Sequence, residues 1–369
     1  MRPQGTFRRL RVALVPPLWA RVAPATQGGV EYVVYLLAEE LVRRGHEVTV
    51  FTSMDSPTTA RVEAVCEWNM LEAMEKGYAS EYEYYETCNI AEALQRRGSF
   101  DIIHFHVGAY AIPLAELSRT PVLHTLHNPI TPDAIWLLER YANTTVTAVS
   151  RQQIGEVPAA RRRGIHVIYN GCNFEAYEFA SSPGKYLAFL GRMGPEKSPL
   201  DAIRIANEAG LPIILAGQPL NEEERAYFAE KIEPRIDGKD VIYIGQVDYK
   251  RKIDLLKRAC AFLFPIQWDE PFGLVMIEAM ACGTPVIALQ KGSVEEVVDF
   301  GKTGFYAGSV QALSSFVPLA LSLDRTVVRN HAMQRFGHVR MVDEHLKVYQ
   351  AVLNTSENEE RSLARARQP

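Results

Sequence analysis

The chain alternates short apolar runs with segments whose apolar residues recur every three or four positions. In the first half, Leu10–Val15, Val48–Phe51, Asp101–Phe105, Val122–Leu126, Val146–Val149 and His166–Ile168 read as buried strands. Between the first two, Val30, Val33, Val34, Leu37 and Leu41 fall on one helical face, and Gly45 stands where a C-terminal cap belongs. Strand–helix–strand alternation predicts a parallel sheet covered by helices. The pattern breaks between Asn173 and Lys185, where Ser181-Ser182-Pro183-Gly184 suits a linker. It then restarts, with strands expected at Tyr186–Leu190, Ile213–Ala216, Val241–Ile244, Phe262–Phe264 and Pro285–Ala288, and helices at Leu200–Ala209 and Ile253–Ala259.

The expected fold class is therefore α/β, with two Rossmann-like doubly wound domains in tandem, residues 1–173 and 174–335. A last helical pattern, Val339–Leu353 within 336–353, would close the second domain or pack back on the first. Residues 354–369 form a polar, charged tail with too few apolar positions to order it. Sheets of this kind bind ligands outside the carboxyl ends of their strands, and two facing domains would make an inter-domain cleft.

Composition narrows the function classes. A length of 369 residues fits two domains, and 47% hydrophobic with 23% charged residues is ordinary for a globular protein. A formal charge of −4 gives no field that would collect nucleic acid. Basic clusters at Arg8, Arg9 and Arg11 and at Arg161–Arg163 read as solvated faces, with docking on an anionic membrane surface or an acidic acceptor as the alternative. Five scattered cysteines form no C-x-x-C, which argues for free thiols in a reducing compartment. Met1–Arg11 has no apolar stretch of signal-peptide type, and no run approaches a membrane span. A cytoplasmic protein, at most peripheral to a membrane, is expected.

The densest candidate chemistry lies in Trp268-Asp269-Glu270-Pro271-Phe272-Gly273-Leu274-Val275-Met276-Ile277-Glu278. A strand ends before it, and Pro271 suits the first turn of the next helix. The amides of Phe272, Gly273 and Leu274 would then face a phosphate at a helix N-terminus, with Gly273 allowing close approach. Glu270, at the helix mouth, could hold sugar hydroxyls. Glu278, about two turns further on, could accept from a ribose diol. Upstream, Gly191-Arg192-Met193-Gly194-Pro195-Glu196-Lys197 follows an expected strand and supplies two cations. There is no D-x-D, the motif by which many sugar-transferring enzymes hold a divalent ion.

These residues resemble the E-x7-E and G-R-x-x-x-E-K motifs of the retaining glycosyltransferases of family 4, which have the GT-B fold. The likeness includes the flanking E-P-F-G and the run Glu278–Ala288. It is dense from Lys185 to Phe305, thinner in the first half, and covers most of the chain. It implies transfer of a hexose from a nucleotide-diphosphate sugar, of UDP-glucose or GDP-mannose type, to an acceptor hydroxyl that the sequence does not identify. Retention is implied by the resemblance alone, and no cofactor or metal is expected. Arg192 and Lys197 would bind the diphosphate, stabilising the departing charge in place of a metal. In Gln27-Gly28-Gly29-Val30-Glu31 the family places a glycine against the donor phosphate, which here is Gly29. His127 lines up with a histidine that contacts the transferred sugar, so His127 and Glu270 are the catalytic candidates. Val247, after Gly245-Gln246, falls where the base is read. Ser198 stands where many relatives have glycine, a change expected to matter little. Asn173 replaces the Asp of a V-I-x-N-G-x-D motif, putting one local hydrogen bond in doubt.

On the acceptor side, His106 and, in the long loop Pro16–Thr26, Trp19 and Arg21 are candidates, a mobile surface loop being the bland alternative. His104, His106, His124 and His127 crowd two strand ends, and His104-x-His106 puts both rings on one face. No nearby acidic or cysteine run completes a metal-ligand set. A sugar-nucleotide epimerase or a phosphorylase on the same architecture, or a non-catalytic nucleotide-sugar-binding protein, are the rival readings. A dehydrogenase is disfavoured because no G-x-G-x-x-G follows the first strand.

Overall fold

The computed structural model describes residues 8–26, 28–96 and 98–366. Gln27 of the glycine loop and the last three tail residues lie outside the described residues. The chain divides into two compact units. One comprises Met1–Val149, Ile154–Gly171 and His338–Pro369, and the other Ser150–Gln153 and Cys172–Gly337.

The first unit holds a seven-stranded parallel sheet in the order β3-β2-β1-β4-β5-β6-β7. The strands are β1 (Arg11–Val15), β2 (Glu47–Thr52), β3 (Arg61–Ala64), β4 (Ile102–Phe105), β5 (Val122–Leu126), β6 (Thr145–Ala148) and β7 (Ile165–Val167). Register is set by the buried runs: Val12 lies opposite Val48 on one side and Ile102 on the other. Strands flanked on both sides must be apolar on both faces, which is why they read as continuous hydrophobic runs.

The second unit holds a six-stranded parallel sheet, β10-β9-β8-β11-β12-β13. Its strands are β8 (Leu187–Leu190), β9 (Ile213–Ala216), β10 (Val241–Tyr243), β11 (Ala261–Phe264), β12 (Val286–Leu289) and β13 (Gly304–Ala307). In each sheet the strand order reverses once, between β1 and β4 and between β8 and β11. Such switch points are where an open α/β sheet forms a ligand crevice.

The edge strand β3 lacks the apolar signal. Arg61-Val62-Glu63-Ala64 is largely polar, as an edge that must not recruit another strand should be. The C-terminal helix runs His338–Ala366, past Leu353 and through much of the stretch expected to be a disordered tail. It belongs to the first unit, where Arg44 binds Asp343 at 2.5 Å and Tyr349 reaches His104.

In the second unit one buried cation ties several elements. Arg325, 3% exposed, begins helix Arg325–Phe336 and donates to the carbonyls of Ala180, Lys257 and Ala259 and to the Thr284 hydroxyl. Removing it leaves buried acceptors without donors, each a desolvation cost of about 1–3 kcal/mol. Arg325→Met should lower the unfolding free energy by at least ~3 kcal/mol. Urea titration followed by circular dichroism measures it, and a loss under 1 kcal/mol would show that the carbonyls find other donors.

Candidate functional site

The donor-side residues sit on loops leaving the carboxyl ends of β8 and β11, the switch point of the second sheet. After β8 the chain passes Arg192 and makes a 3-10 turn at Pro195–Lys197. Ser198 then adopts φ +54°, ψ +50° before helix Pro199–Ala209. A glycine would take this conformation without strain. An L-residue in the left-handed region costs roughly 1–2 kcal/mol. The Ser198 hydroxyl offsets part of this by donating to the Pro195 carbonyl at 3.0 Å. Serine at this position therefore carries a backbone cost that the residue type does not display.

The two loops are bonded to each other. Lys197 Nζ donates to Glu270 Oε2 at 2.7 Å and lies 4.7 Å above the Trp268 ring. Trp268 Nε1 donates to the same Glu270 oxygen at 3.0 Å, and Gln267 N donates to the Glu196 carbonyl at 2.9 Å. Arg192 pairs with Glu196 and with Glu224, a 3%-exposed carboxylate that also takes the Leu220 amide at 2.7 Å. Both candidate phosphate cations are thus held by internal carboxylates.

The helix after Glu270 starts later than the sequence suggests. It spans Leu274–Ala281, so Pro271 is not in its first turn. Gly273, at φ +75°, is the N-cap and makes the turn into the helix. A Cβ there would lie 2.7 Å from Met276 Cε and 3.0 Å from Phe264 Cζ. Leu274 still opens the helix with an amide that has no intrahelical acceptor. Phe272 is buried, and its carbonyl takes the Ser293 hydroxyl at 2.8 Å. Ser293 N also bonds the Glu270 carbonyl at 3.1 Å, and Gly292 N bonds Asp269. The Gly292-Ser293 loop after β12 therefore fixes the Glu270 turn. Only its glycine signalled this, and a lone glycine reads as any turn.

Glu278, four residues into that helix, is 6% exposed. Its Oε1 accepts from Tyr177 at 2.7 Å and Lys252 at 2.6 Å, two partners the motifs did not name. Val247 is half-buried beyond β10, on the same edge of the sheet. Asn173 does what an Asp would do there: its Oδ1 accepts the Glu175 amide at 3.2 Å, so the hydrogen bond in doubt is present.

In the first unit, Gly29 opens helix Gly29–Arg43 and is exposed. The loop after β1 is held rather than loose. Glu31 Oε1 accepts the Ala20 amide at 3.0 Å, Ser56 Oγ accepts that of Val22, and the Leu18 and Trp19 carbonyls accept from Met70 and Leu71. Burial lifts the Glu31 carboxyl to about 7. His106 and His127 line a cavity of about 200 Å³ with Pro17, Val30 and Asn128. Trp19 and Arg21 do not line it. Trp19 packs edge-on to Tyr82, and Arg21 faces Asp55 at 3.8 Å. Of the second basic cluster, Arg161 and Arg162 donate to the carbonyls of Leu138, Thr144 and Val157.

The histidines sort onto two faces. His104 and His106 rings are 3.9 Å apart, and His106 Nδ1 meets His127 Nε2 at 3.0 Å. His345, from the C-terminal helix and so invisible to local motif reading, joins at 5.3 Å from His104. His124 points to the other face, stacked on Phe105, with neither ring nitrogen partnered. No metal-binding group of three or more His, Cys, Asp or Glu occurs among the described residues. His106 Nε2 is buried without a partner, and an unfilled lone pair there is cheaper than an orphan N–H. His106 then donates from Nδ1 to His127 Nε2, and His127 keeps its proton on Nδ1. Burial, reinforced by His345, depresses His127 to about 3, so it is neutral at physiological pH.

The architecture has solved counterparts. A glycosyltransferase involved in avilamycin A biosynthesis, AviGT4, superposes with TM-score 0.71 at 27% identity, over 94% of this chain and 98% of that one. Alr3699/HepE of Anabaena, solved with UDP and glucose, gives TM-score 0.70 at 20% identity, over 93% and 100%. Two parallel α/β sheets of this kind are the GT-B fold. In sequence, the chain is 25% identical to the D-inositol 3-phosphate glycosyltransferase of Mycolicibacterium smegmatis, over 95% of this chain and 92% of that protein. Two family models match end to end, Glycosyltransferase Family 4 over residues 27–176 and Glycosyl transferases group 1 over residues 175–324. The chain belongs to this glycosyltransferase family and is an enzyme of the transferase class.

Two outcomes follow from the geometry. Gly273→Ala should cost about 1–3 kcal/mol through its left-handed backbone, read by melting temperature. A variant as stable as the parent would show that the turn accommodates a side chain. The buried histidines set an acid limit. Burial lowers His124 to about 3 and His345 to about 4, below the unfolded value, so the unfolded chain binds more protons. Stability is present above about pH 6.5 and falls as pH drops toward those values, by about 1.4 kcal/mol per pH unit for each histidine. His124→Leu should flatten this dependence by one proton, measured by urea unfolding from pH 4.5 to 7, and an unchanged slope would refute it.

Proposed function

We propose that this enzyme transfers a hexose from a nucleotide-diphosphate sugar to an acceptor hydroxyl, with retention and without a metal ion. The observation that supports this best is the Lys197–Glu270–Trp268 cluster at the sheet's switch point, with Arg192 on the same loop as Lys197. In this reading Arg192 and Lys197 face the diphosphate, and a charge-assisted hydrogen bond contributes about 1.5–3 kcal/mol. Amides from Phe272 to Leu274 add to the phosphate site. Glu270 holds sugar hydroxyls, Glu278 the ribose, and Val247 borders the base. His127 donates to a sugar oxygen as a neutral imidazole, and His106 borders the acceptor. Trp19 and Arg21 belong to a more distant acceptor surface, since they do not line the His127 cavity.

The proposed step breaks the bond between the hexose anomeric carbon and the diphosphate oxygen and forms one to the acceptor oxygen on the same face. The acceptor's proton passes to the leaving diphosphate. No carboxylate has a context that marks it as a nucleophile opposite the leaving group. Arg192 and Lys197 stabilise the departing charge where other enzymes use a metal. A UDP-sugar is the first donor to try, since the Anabaena neighbour has been solved with UDP-glucose. A cytoplasmic location fits the free cysteines, and among the described residues no helix is long and apolar enough to cross a membrane.

The test is a panel of nucleotide sugars, first by thermal shift and then by nucleoside-diphosphate release with candidate acceptors. A bound donor at 100 times its dissociation constant stabilises by about 2.7 kcal/mol. Glu270→Ala should reduce turnover at least ~100-fold. Full turnover in that variant would refute the sugar-hydroxyl role, and a trapped covalent glycosyl-enzyme would refute the same-face path. Release of sugar phosphate from free phosphate, or epimerised donor without diphosphate release, would replace transfer by phosphorolysis or epimerisation.

A further inference from the structure

The two oxygens of the Glu278 carboxylate have different surroundings. Oε1 accepts from the Tyr177 hydroxyl at 2.7 Å and the Lys252 ammonium at 2.6 Å. Oε2 accepts no hydrogen bond among the described residues, although the side chain is only 8% exposed. A carboxylate oxygen offers roughly two lone-pair sites. Oε1 is therefore filled, and Oε2 has both sites open.

The two donors are themselves fixed. Tyr177 is 2% exposed, and its carbonyl is held by Arg329 Nη1 at 2.9 Å. Tyr249 packs edge-on to the Tyr177 ring at 5.7 Å. Lys252 lies on helix Tyr249–Arg258, whose start is capped by Asp248, and its ammonium sits 5.2 Å from the Tyr249 ring centre. Neither residue falls within the motifs that mark the donor site.

We propose that Tyr177 and Lys252 are positioning residues that lock Glu278 so that Oε2 alone meets a vicinal diol. The locked carboxylate then discriminates a ribonucleotide from its 2′-deoxy counterpart. This rests on the reading of Glu278 as the ribose ligand. Two open lone pairs match two hydroxyls. A 2′-deoxy ligand leaves one of them unfilled, and sites built to pair a hydroxyl reject the analogue that lacks it. Without Lys252 or Tyr177 the carboxylate can rotate, either oxygen can serve, and the match is lost.

The test compares dissociation constants of UDP with 2′-deoxy-UDP, and of GDP with 2′-deoxy-GDP, by calorimetry. The proteins are the parent, Lys252→Met, Lys252→Arg, Tyr177→Phe and Glu278→Gln. The parent should favour the ribonucleotide by roughly tenfold or more. That ratio should fall at least about threefold in Lys252→Met and Tyr177→Phe, and recover in Lys252→Arg, which keeps a cationic donor. Both ligands meet the same folded molecule, so a general loss of stability divides out of the ratio. If Glu278→Gln lowers the ratio while Lys252→Met and Tyr177→Phe keep the parent's, the ribose reading stands and the positioning inference is overturned. If Glu278→Gln itself keeps the parent's ratio, the ribose reading fails and the inference with it.

Discussion

The contact on which the candidate site of the second unit depends is the ion pair between Lys197 and Glu270, with Trp268 donating to the same oxygen. It joins the loops that leave neighbouring strands, β8 and β11, at the reversal of the sheet. Beyond the 3-10 turn at Pro195–Lys197 neither loop has regular structure of its own, and the charge pair and the Gln267–Glu196 backbone bond tie the two together. The pair is half-buried, where its attraction is less screened than at an open surface. It also sets the electrostatic state of the resting site. Lys197 and Arg192 keep fixed positions because Glu270, Glu196 and Glu224 act as their counter-ions. An arriving diphosphate would replace the carboxylate beside Lys197, and Glu270 would be freed to turn to sugar hydroxyls. One rearrangement would then serve both ends of the donor, with the cations already in place before charge develops on the leaving group.

The first unit works by the opposite means. Its site side chains are neutral because they are buried: four histidines and Tyr349 pack together, and burial pushes the imidazoles down. A neutral imidazole whose tautomer is set by its neighbour is a directional donor. It can hold a hydroxyl in place without adding charge. The cost is acid sensitivity, since every such ring must stay unprotonated for the unit to remain folded.

Much of this was legible in the sequence, and the failures have physical causes. The central strands of both sheets were legible because a parallel strand is buried on both faces and announces itself as an apolar run. Edge strand β3 was not, because Arg61 and Ala64 are exposed and Val62 and Glu63 only partly buried, so no apolar run marks it. Glu270, Glu278, Arg192 and Lys197 were legible as a motif, but not their partners. Glu224, Tyr177, Lys252 and His345 lie far away in sequence and are brought in by packing. Pro271 was misplaced because a proline near a helix start is a good N1 residue, yet Gly273 can adopt the left-handed turn that begins the helix later. Ser198 looked harmless because its cost lies in a backbone angle that residue type does not display. The tail from Asn354 looked structureless on polarity, but a helix already nucleated at His338 continues through it.

The central claim is that the second unit grips a diphosphate through Arg192 and Lys197. Calorimetric titration of a nucleoside diphosphate against its parent nucleoside, on the whole enzyme and on Lys197→Met, tests it most directly. The diphosphate should bind at least roughly 100-fold tighter than the nucleoside, and most of that advantage should vanish in the variant. Equal affinities for nucleoside and diphosphate, or an advantage untouched by the loss of Lys197, would contradict it.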